Sequence, residues 1–347
     1  MTVQTPIDTP LHDVLEIVRC PCCMSRLTLP SSPPLGALHC SGCGCSYPLH
    51  SVGHGALDIP RLMRDDALAT LDQDIVVSRG DPDSTRLDYR RHIERVERRE
   101  RFLAPFVSHT ADPHVIPPIK GAPGRREDSS ERVGETALFE RFTRGLPVGG
   151  IVLDIGCDAR MVTRLTRLGL RVIEVDTSRA RLERAMTAAP EASAEASAEA
   201  SAEGGARTVF VGADPMELPF AAASVDGVWC DGAFASVRPD RRTVFFRQVN
   251  RVLRPGGLLC LGTVTASPRA TLRRYLLQRY VYHWPVVYGD YIERPRRGRT
   301  GGWRYRAVTS ARETRSLCRE HGFKVVALRR AEEQVLLLAR KERGTDG

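Results

Sequence analysis

Six of the ten cysteines crowd into residues 20–45. "CPCC" at 20–23 and "CSGC" at 40–43 make two Cys-x-x-Cys knuckles sixteen residues apart. Each knuckle can give two thiolates to one tetrahedral metal, so Cys20, Cys23, Cys40 and Cys43 are the expected ligands of a structural zinc. Four protein ligands close such a site, which leaves it no position for a substrate. Cys22 and Cys45 sit close enough to replace a neighbour, and the spacing leaves that choice open. A cysteine-rich loop without metal is the plainer alternative.

A second set of chemically useful residues stands at the ends of apolar runs. "IVLDIG" ends near Asp154 and Gly156, "RVIEVD" on Asp176, and "TVFVGAD" on Asp214. Two further runs, "VDGVWCD" and "LLCLGTV", follow, and helical stretches separate most of the five. Short apolar runs alternating with helices predict a parallel sheet covered on both faces. In a doubly wound sheet the ligand binds beyond the carboxyl ends of the strands. There a glycine lets the backbone approach it closely, and an acid after the second strand can grip ribose hydroxyls. Asp214, after the third strand, can accept from an adenine amino group.

The rest of the chain divides around these sets. Residues 1–62 read as a small cysteine- and proline-rich module with strand-like pieces. Residues 63–135 read as a helical segment and linker. Tyr89, Ile93, Val96 and Leu103 fall at helical spacing, and 109–130 is rich in Pro, Gly and polar residues. Residues 136–345 carry the strand–helix alternation, with a helix expected over "ALFERFTRGL". The repeat "EASAEASAEASAEGGA" at 191–206 has nothing to bury and reads as a surface extension.

At these residues the sequence resembles the class I S-adenosylmethionine-dependent methyltransferases, in the subgroup that includes quinone-biosynthesis methyltransferases. The resemblance rests on "VLDIGC" (152–157), "EVDTSRARLERA" (174–185), "GADPMELPFAAASVDGVWCDGAFASV" (212–237) and "RVLRPGG" (251–257), and extends to a closing helix and antiparallel hairpin. It implies a Rossmann-like, doubly wound, seven-stranded α/β sheet. It also implies that Asp154 and Gly156 lie against the methionine part of the cofactor, Asp176 on the ribose and Asp214 on the adenine amine. Cys157, Thr177, Pro215 and Met216 complete the expected cofactor-binding set. The sequence departs from the family's Gly-x-Gly-x-Gly loop, with Asp158 and Arg160 at the second and third positions. Pro215 has no N–H to give to adenine, which passes that role to Met216. The stretch "CPCCMSRLTLP…LHCSGCGCSYPLH" resembles the small Trm112-like zinc ribbon, including Gly44, Tyr47 and Pro48.

An insertion at 265–306 separates the fifth strand from the closing helix. Its core, residues 269–306, holds six of the eight tyrosines, two of the three tryptophans, and ten arginines against two acids. By resemblance, insertions here cap the substrate site. The same composition could stack bases, or bury Tyr275, Leu276, Tyr280 and Tyr282 as ordinary packing. The whole chain of 347 residues carries a formal charge of +9, nearly all from arginine. It has no run approaching a membrane span and no signal-like N-terminus, so the expectation is a cytoplasmic protein without a membrane partner. Methyl transfer from S-adenosylmethionine to an O, N or C atom of a small metabolite is the expected function, with Asp231 or His283 as candidate bases and the catalytic residue unknown. RNA as the acceptor, and a non-catalytic scaffold that lost its cofactor, stay open.

Overall fold

The computed structural model describes residues 12–29, 37–51, 58–62, 129–157, 159–177, 181–187, 208–293, 304–331 and 334–343. The expected helix within 63–108, the linker up to residue 128, the repeat at 191–206 and Asp158 lie outside them.

The centre is a parallel array: β5 (Ile151–Ile155), β6 (Arg171–Asp176), β7 (Thr208–Ala213), β8 (Val225–Cys230) and β9 (Leu253–Val264). An antiparallel hairpin, β12 (Phe323–Ala331) and β13 (Gln334–Lys341), closes one side, giving the order β7-β6-β5-β8-β9-β13-β12. This is the seven-stranded doubly wound arrangement. Every residue of β5 and β8 is buried, as a sheet covered on both faces requires. On one face the helix Ser129–Arg144 presents Phe139 and Phe142, spaced for a single helix face, edge-on to Trp229 at 5.7 and 5.3 Å. On the other, Phe245, Phe246 and Val249 of the helix Arg242–Val252 fill the core with Leu259 and Leu261.

Three features go beyond the sequence reading. The helix expected over "ALFERFTRGL" begins at Ser129, so it includes the last two residues of the expected linker and crosses the 135/136 boundary. At "RPGG" the helix Arg242–Val252 runs straight into β9, and the pairing with β8 jumps from Val225↔Leu253 to Gly227↔Leu258, a bulge that absorbs the proline and glycines.

The third feature concerns the cysteine module. Its strands β1 (Leu27–Thr28), β2 (Ala37–Cys40), β3 (Ser46–Ser51) and β4 (Asp58–Leu62) pair antiparallel in sequence. Then β4 pairs in parallel with β7, which makes one continuous sheet of eleven strands. A second seam joins the two parts. Arg19 N–H donates to Pro219 O at 2.8 Å and Ala221 N–H to Ile17 O at 2.7 Å. Phe220, between those contacts, is buried in a core that also contains Val18, Cys20, Leu38 and Val211. Burying one such phenylalanine stabilises by roughly 1.5–3 kcal/mol, so the module and the sheet share their stability.

Candidate cofactor crevice and thiol cluster

The four predicted thiols come together. The Sγ atoms of Cys20, Cys23, Cys40 and Cys43 lie within 4.8 Å of one another. Cys20 and Cys43 are 3.6 Å apart, and Cys23 and Cys40 are 3.4 Å apart. A tetrahedron with Zn–S bonds of about 2.3 Å has edges of about 3.8 Å, so the donor set and its size both fit zinc. The second knuckle is already shaped for a thiolate: the N–H groups of Gly42 and Cys43 point at Cys40 Sγ at 3.3 and 3.4 Å. Hydrogen bonds from Ser25 lower the Cys23 thiol to about 6, while burial pushes Cys20 up to about 12. Tyr47, known from the sequence only as part of the ribbon resemblance, joins the thiols. Its hydroxyl sits 3.0 Å from Cys20 Sγ and 3.4 Å from Cys22 Sγ. Cys45 packs against the core, and neither Cys22 nor Cys45 belongs to the four-thiol group.

The three carboxylates stand at the same edge of three adjacent strands. Ile155 pairs with Val175 and Asp176 with Gly212, so Asp154, Asp176 and Asp214 occupy neighbouring tips. Asp154 and Asp176 are buried. Glu174, two residues before Asp176 and paired with Asp154, is fully buried on the same face and was missed; an acid inside a strand reads as an interruption unless the partner strand is known. The Cys157 thiol reports how close these groups are. Burial raises its pKa first, followed by the charge of Glu174, with Asp154 and Asp176 adding to the effect. Three buried acids thus gather around one strand end, a setting that favours a cation.

Gly156 takes φ +101°, and a Cβ there would stand 2.5 Å from that of Ala233, so the turn after β5 admits only glycine. Its N–H donates to Val175 O at 2.9 Å, which ties the turn to β6. Cys157 is half-buried and also has positive φ. Its thiol points to Arg181 O at 3.9 Å and packs with Leu182, Ala185, Met186 and Phe210. Thr177 is exposed just past β6, and Arg160 is exposed on the helix Ala159–Thr166.

Two groups are already engaged. Arg181 reaches Asp176 at 3.4 Å, and the Met216 N–H, the expected adenine donor, gives its proton to the Asp214 carboxylate at 2.8 Å. Pro215 and Met216 form the turn that this bond closes. Burial pushes the Asp214 carboxyl up, opposed by the Met216 N–H and the Arg241 charge. Of the candidate bases, Asp231 is exposed beyond β8, and its carboxylate lies so near Gly262 that a Cβ there would be 2.1 Å away. His283 is exposed, with positive φ.

Residues 153–261 match the family model described as a methyltransferase domain. Within that matched stretch lie the tips of β5, β6 and β7 and the turns described above.

Among curated proteins, the chain is 36% identical over 151 residues to 27-O-demethylrifamycin SV methyltransferase of Amycolatopsis mediterranei (strain S699), covering 42% of this chain and 51% of that one. It is 33% identical over 165 residues to methyltransferase GfsG of Streptomyces halstedii, covering 46% and 50%. The chain thus spans about half the length of these relatives. Among solved structures, a SAM-dependent methyltransferase from Methanosarcina mazei aligns with TM-score 0.47 and 19% identity over 59% of this chain and 97% of that one. Among the described residues, no helix is long and apolar enough to cross a membrane.

Proposed function

We propose that this chain transfers a methyl group from S-adenosylmethionine to a small-molecule acceptor. The observation that carries the reading is the cluster of buried acids at the tips of β5, β6 and β7, beside a turn that only glycine can make. S-adenosylmethionine, when bound, supplies an electrophilic methyl on a sulfonium. In this reading Asp154 and Gly156, with Cys157 beside them, take the positively charged methionyl end, where buried carboxylates favour a cation. Asp176, next to Thr177, accepts from the ribose hydroxyls, and Arg181 has to yield part of its contact to allow this. Asp214 faces the adenine amine, while Pro215 and Met216 shape that wall. Met216 serves as an apolar cover, because its N–H is already used. The transfer is an in-line displacement, so most of the catalysis comes from aligning the acceptor. Asp231, just beyond β8, is a candidate for accepting the acceptor's proton.

The domain partition follows the same reading: a zinc ribbon over 1–62, a connecting segment over 63–135, and the catalytic domain from 136 onward with its cap at 265–306. The ribbon's four thiols hold zinc as a closed structural site. Ten cysteines, none of them paired in a disulfide, fit a reducing cytoplasm. The small-molecule acceptor is supported by the curated relatives, whose names include a demethylrifamycin methyltransferase and the O-methyltransferase resE of Aspergillus sclerotiorum.

Isothermal titration with S-adenosylhomocysteine tests the reading. One site per chain is expected, with affinity falling about 10–100-fold in Asp176→Ala, the range for a lost hydrogen bond to a charged group. Absence of binding in the folded, zinc-loaded chain would leave the non-catalytic scaffold. Salt-sensitive RNA binding that the cofactor strengthens would move the acceptor to RNA.

A further inference from the structure

Of the eleven exposed large apolar side chains among the described residues, eight lie between Leu272 and Tyr288. Packing of Leu276, Tyr280 and Tyr282 against the domain, one expectation from the sequence, is not found: they are 44%, 62% and 52% exposed. The segment is nonetheless firmly seated. Ser267 caps the helix Pro268–Leu276, which continues as a π-helical turn over Leu277–Val281. Thr271 and Gln278 are buried on its inner side, and Gln278 Nε2 donates to Ile292 O at 3.1 Å. Beneath it, the hairpin of β10 (Asp290–Glu293) and β11 (Arg304–Ala307) is locked by the Tyr305 hydroxyl donating to Asp290 at 2.7 Å. The apolar residues therefore sit on the outside of a helix whose inner face is already occupied.

The outer face has two stripes. Leu272, Leu276 and Tyr280 follow one another at intervals of four, one above the next on a helix, and Arg269 and Arg273 run alongside with Arg279 on the other flank. Charge narrows the choice of partner. Arg269, Arg273 and Arg279 are exposed, and residues 268–289 include no acid. A second copy docked by the same face would set these three arginines against their own copies, and the segment itself offers no acid between them. A surface with anionic headgroups above an apolar layer satisfies both stripes at once.

We propose that the outer face of Pro268–Val281 docks on an anionic lipid surface, with Leu272, Leu276 and Tyr280 at the acyl boundary and Arg269, Arg273 and Arg279 among the phosphates. The expectation of no membrane partner rested on the lack of a spanning run, which a helix lying in the interface does not need. Docking does not depend on methyl transfer, so either can fail alone.

Flotation of the full chain with phosphatidylcholine vesicles, with and without phosphatidylglycerol, tests this. Binding is expected with phosphatidylglycerol, weakening as salt rises. Each arginine removed costs about fivefold, so Arg269→Gln/Arg273→Gln/Arg279→Gln together cost about a hundredfold. Leu276→Asp/Tyr280→Asp is expected to abolish flotation. Unchanged melting temperatures identify the variants that have kept the fold; should one melt early, the other still decides. Three results overturn the proposal: equal flotation with both vesicle types, flotation that survives in the folded variants, or a dimer in light scattering that Leu276→Asp/Tyr280→Asp dissolves.

Discussion

The thiol cluster and the carboxylate crevice are built in opposite ways. The cluster takes its four thiols from two short knuckles, the second shaped by its own backbone N–H groups. The crevice takes its acids from three strands far apart in sequence, and only the parallel register brings them together. A site made of local pieces can be recognised before the fold is known, whereas a site made of strand ends depends on topology. Yet the two are not independent, because β4 extends the sheet next to β7 and Phe220 shares a core with Cys20.

The largest expected effect tests that dependence. Cys40→Ser should empty the metal site and destabilise the whole chain by on the order of 5 kcal/mol, the scale of losing a structural metal. Zinc content and a melting curve check it. An early transition of the module alone, with the main transition unmoved, would show the two regions to be separate after all.

Gly156→Ala comes next and strikes only the crevice. Positive φ and the collision with Ala233 should cost about 1–3 kcal/mol of stability and at least about tenfold in S-adenosylhomocysteine affinity, with zinc content unchanged. Denaturant unfolding and titration calorimetry read the two effects separately.

Tyr47→Phe strikes only the cluster. Removing the hydroxyl beside Cys20 and Cys22 should lower zinc affinity about tenfold, as loss of a hydrogen bond to a ligand does elsewhere. Competition with a chromogenic chelator measures it, and cofactor affinity should not move.

The smallest effect has a sign opposite to the others. The Asp214 carboxyl is raised above its ordinary value of 3.8, chiefly by burial. The folded chain therefore binds this proton more tightly than the unfolded chain, so stability is lost as pH rises from 3.8 through the raised value. Asp214→Asn keeps an acceptor for the Met216 N–H and removes the charge. It should be the more stable protein at neutral pH, with the difference fading below pH 3.8, while cofactor affinity falls. Urea unfolding at two pH values checks the sign.

Much of this was legible in the residues. The knuckle spacing pointed to the four thiols out of six, because ligand type and local spacing carry the information. The five parallel strands were legible as apolar runs, and Asp154, Asp176 and Asp214 as their ends. Glu174 was not, since its burial depends on pairing with Asp154 across β5 and β6. Nor was the Asp214–Met216 bond, which occupies an expected donor. The joining of β4 to β7 was hidden because two paired residues on each side leave no pattern in sequence. In the insertion, the packing of Leu276 and Tyr280 was one of the readings left open, and only the occupied inner face at Thr271 and Gln278 shows that these two point outward.

A crystal structure of the zinc-loaded chain with S-adenosylhomocysteine addresses the central claim most directly. The account predicts one ligand lying across the tips of β5, β6 and β7, its ribose hydroxyls on Asp176 and its adenine edge toward Asp214. A ligand bound elsewhere, or side chains filling the space among Asp154, Asp176 and Asp214 at saturating ligand, would contradict it.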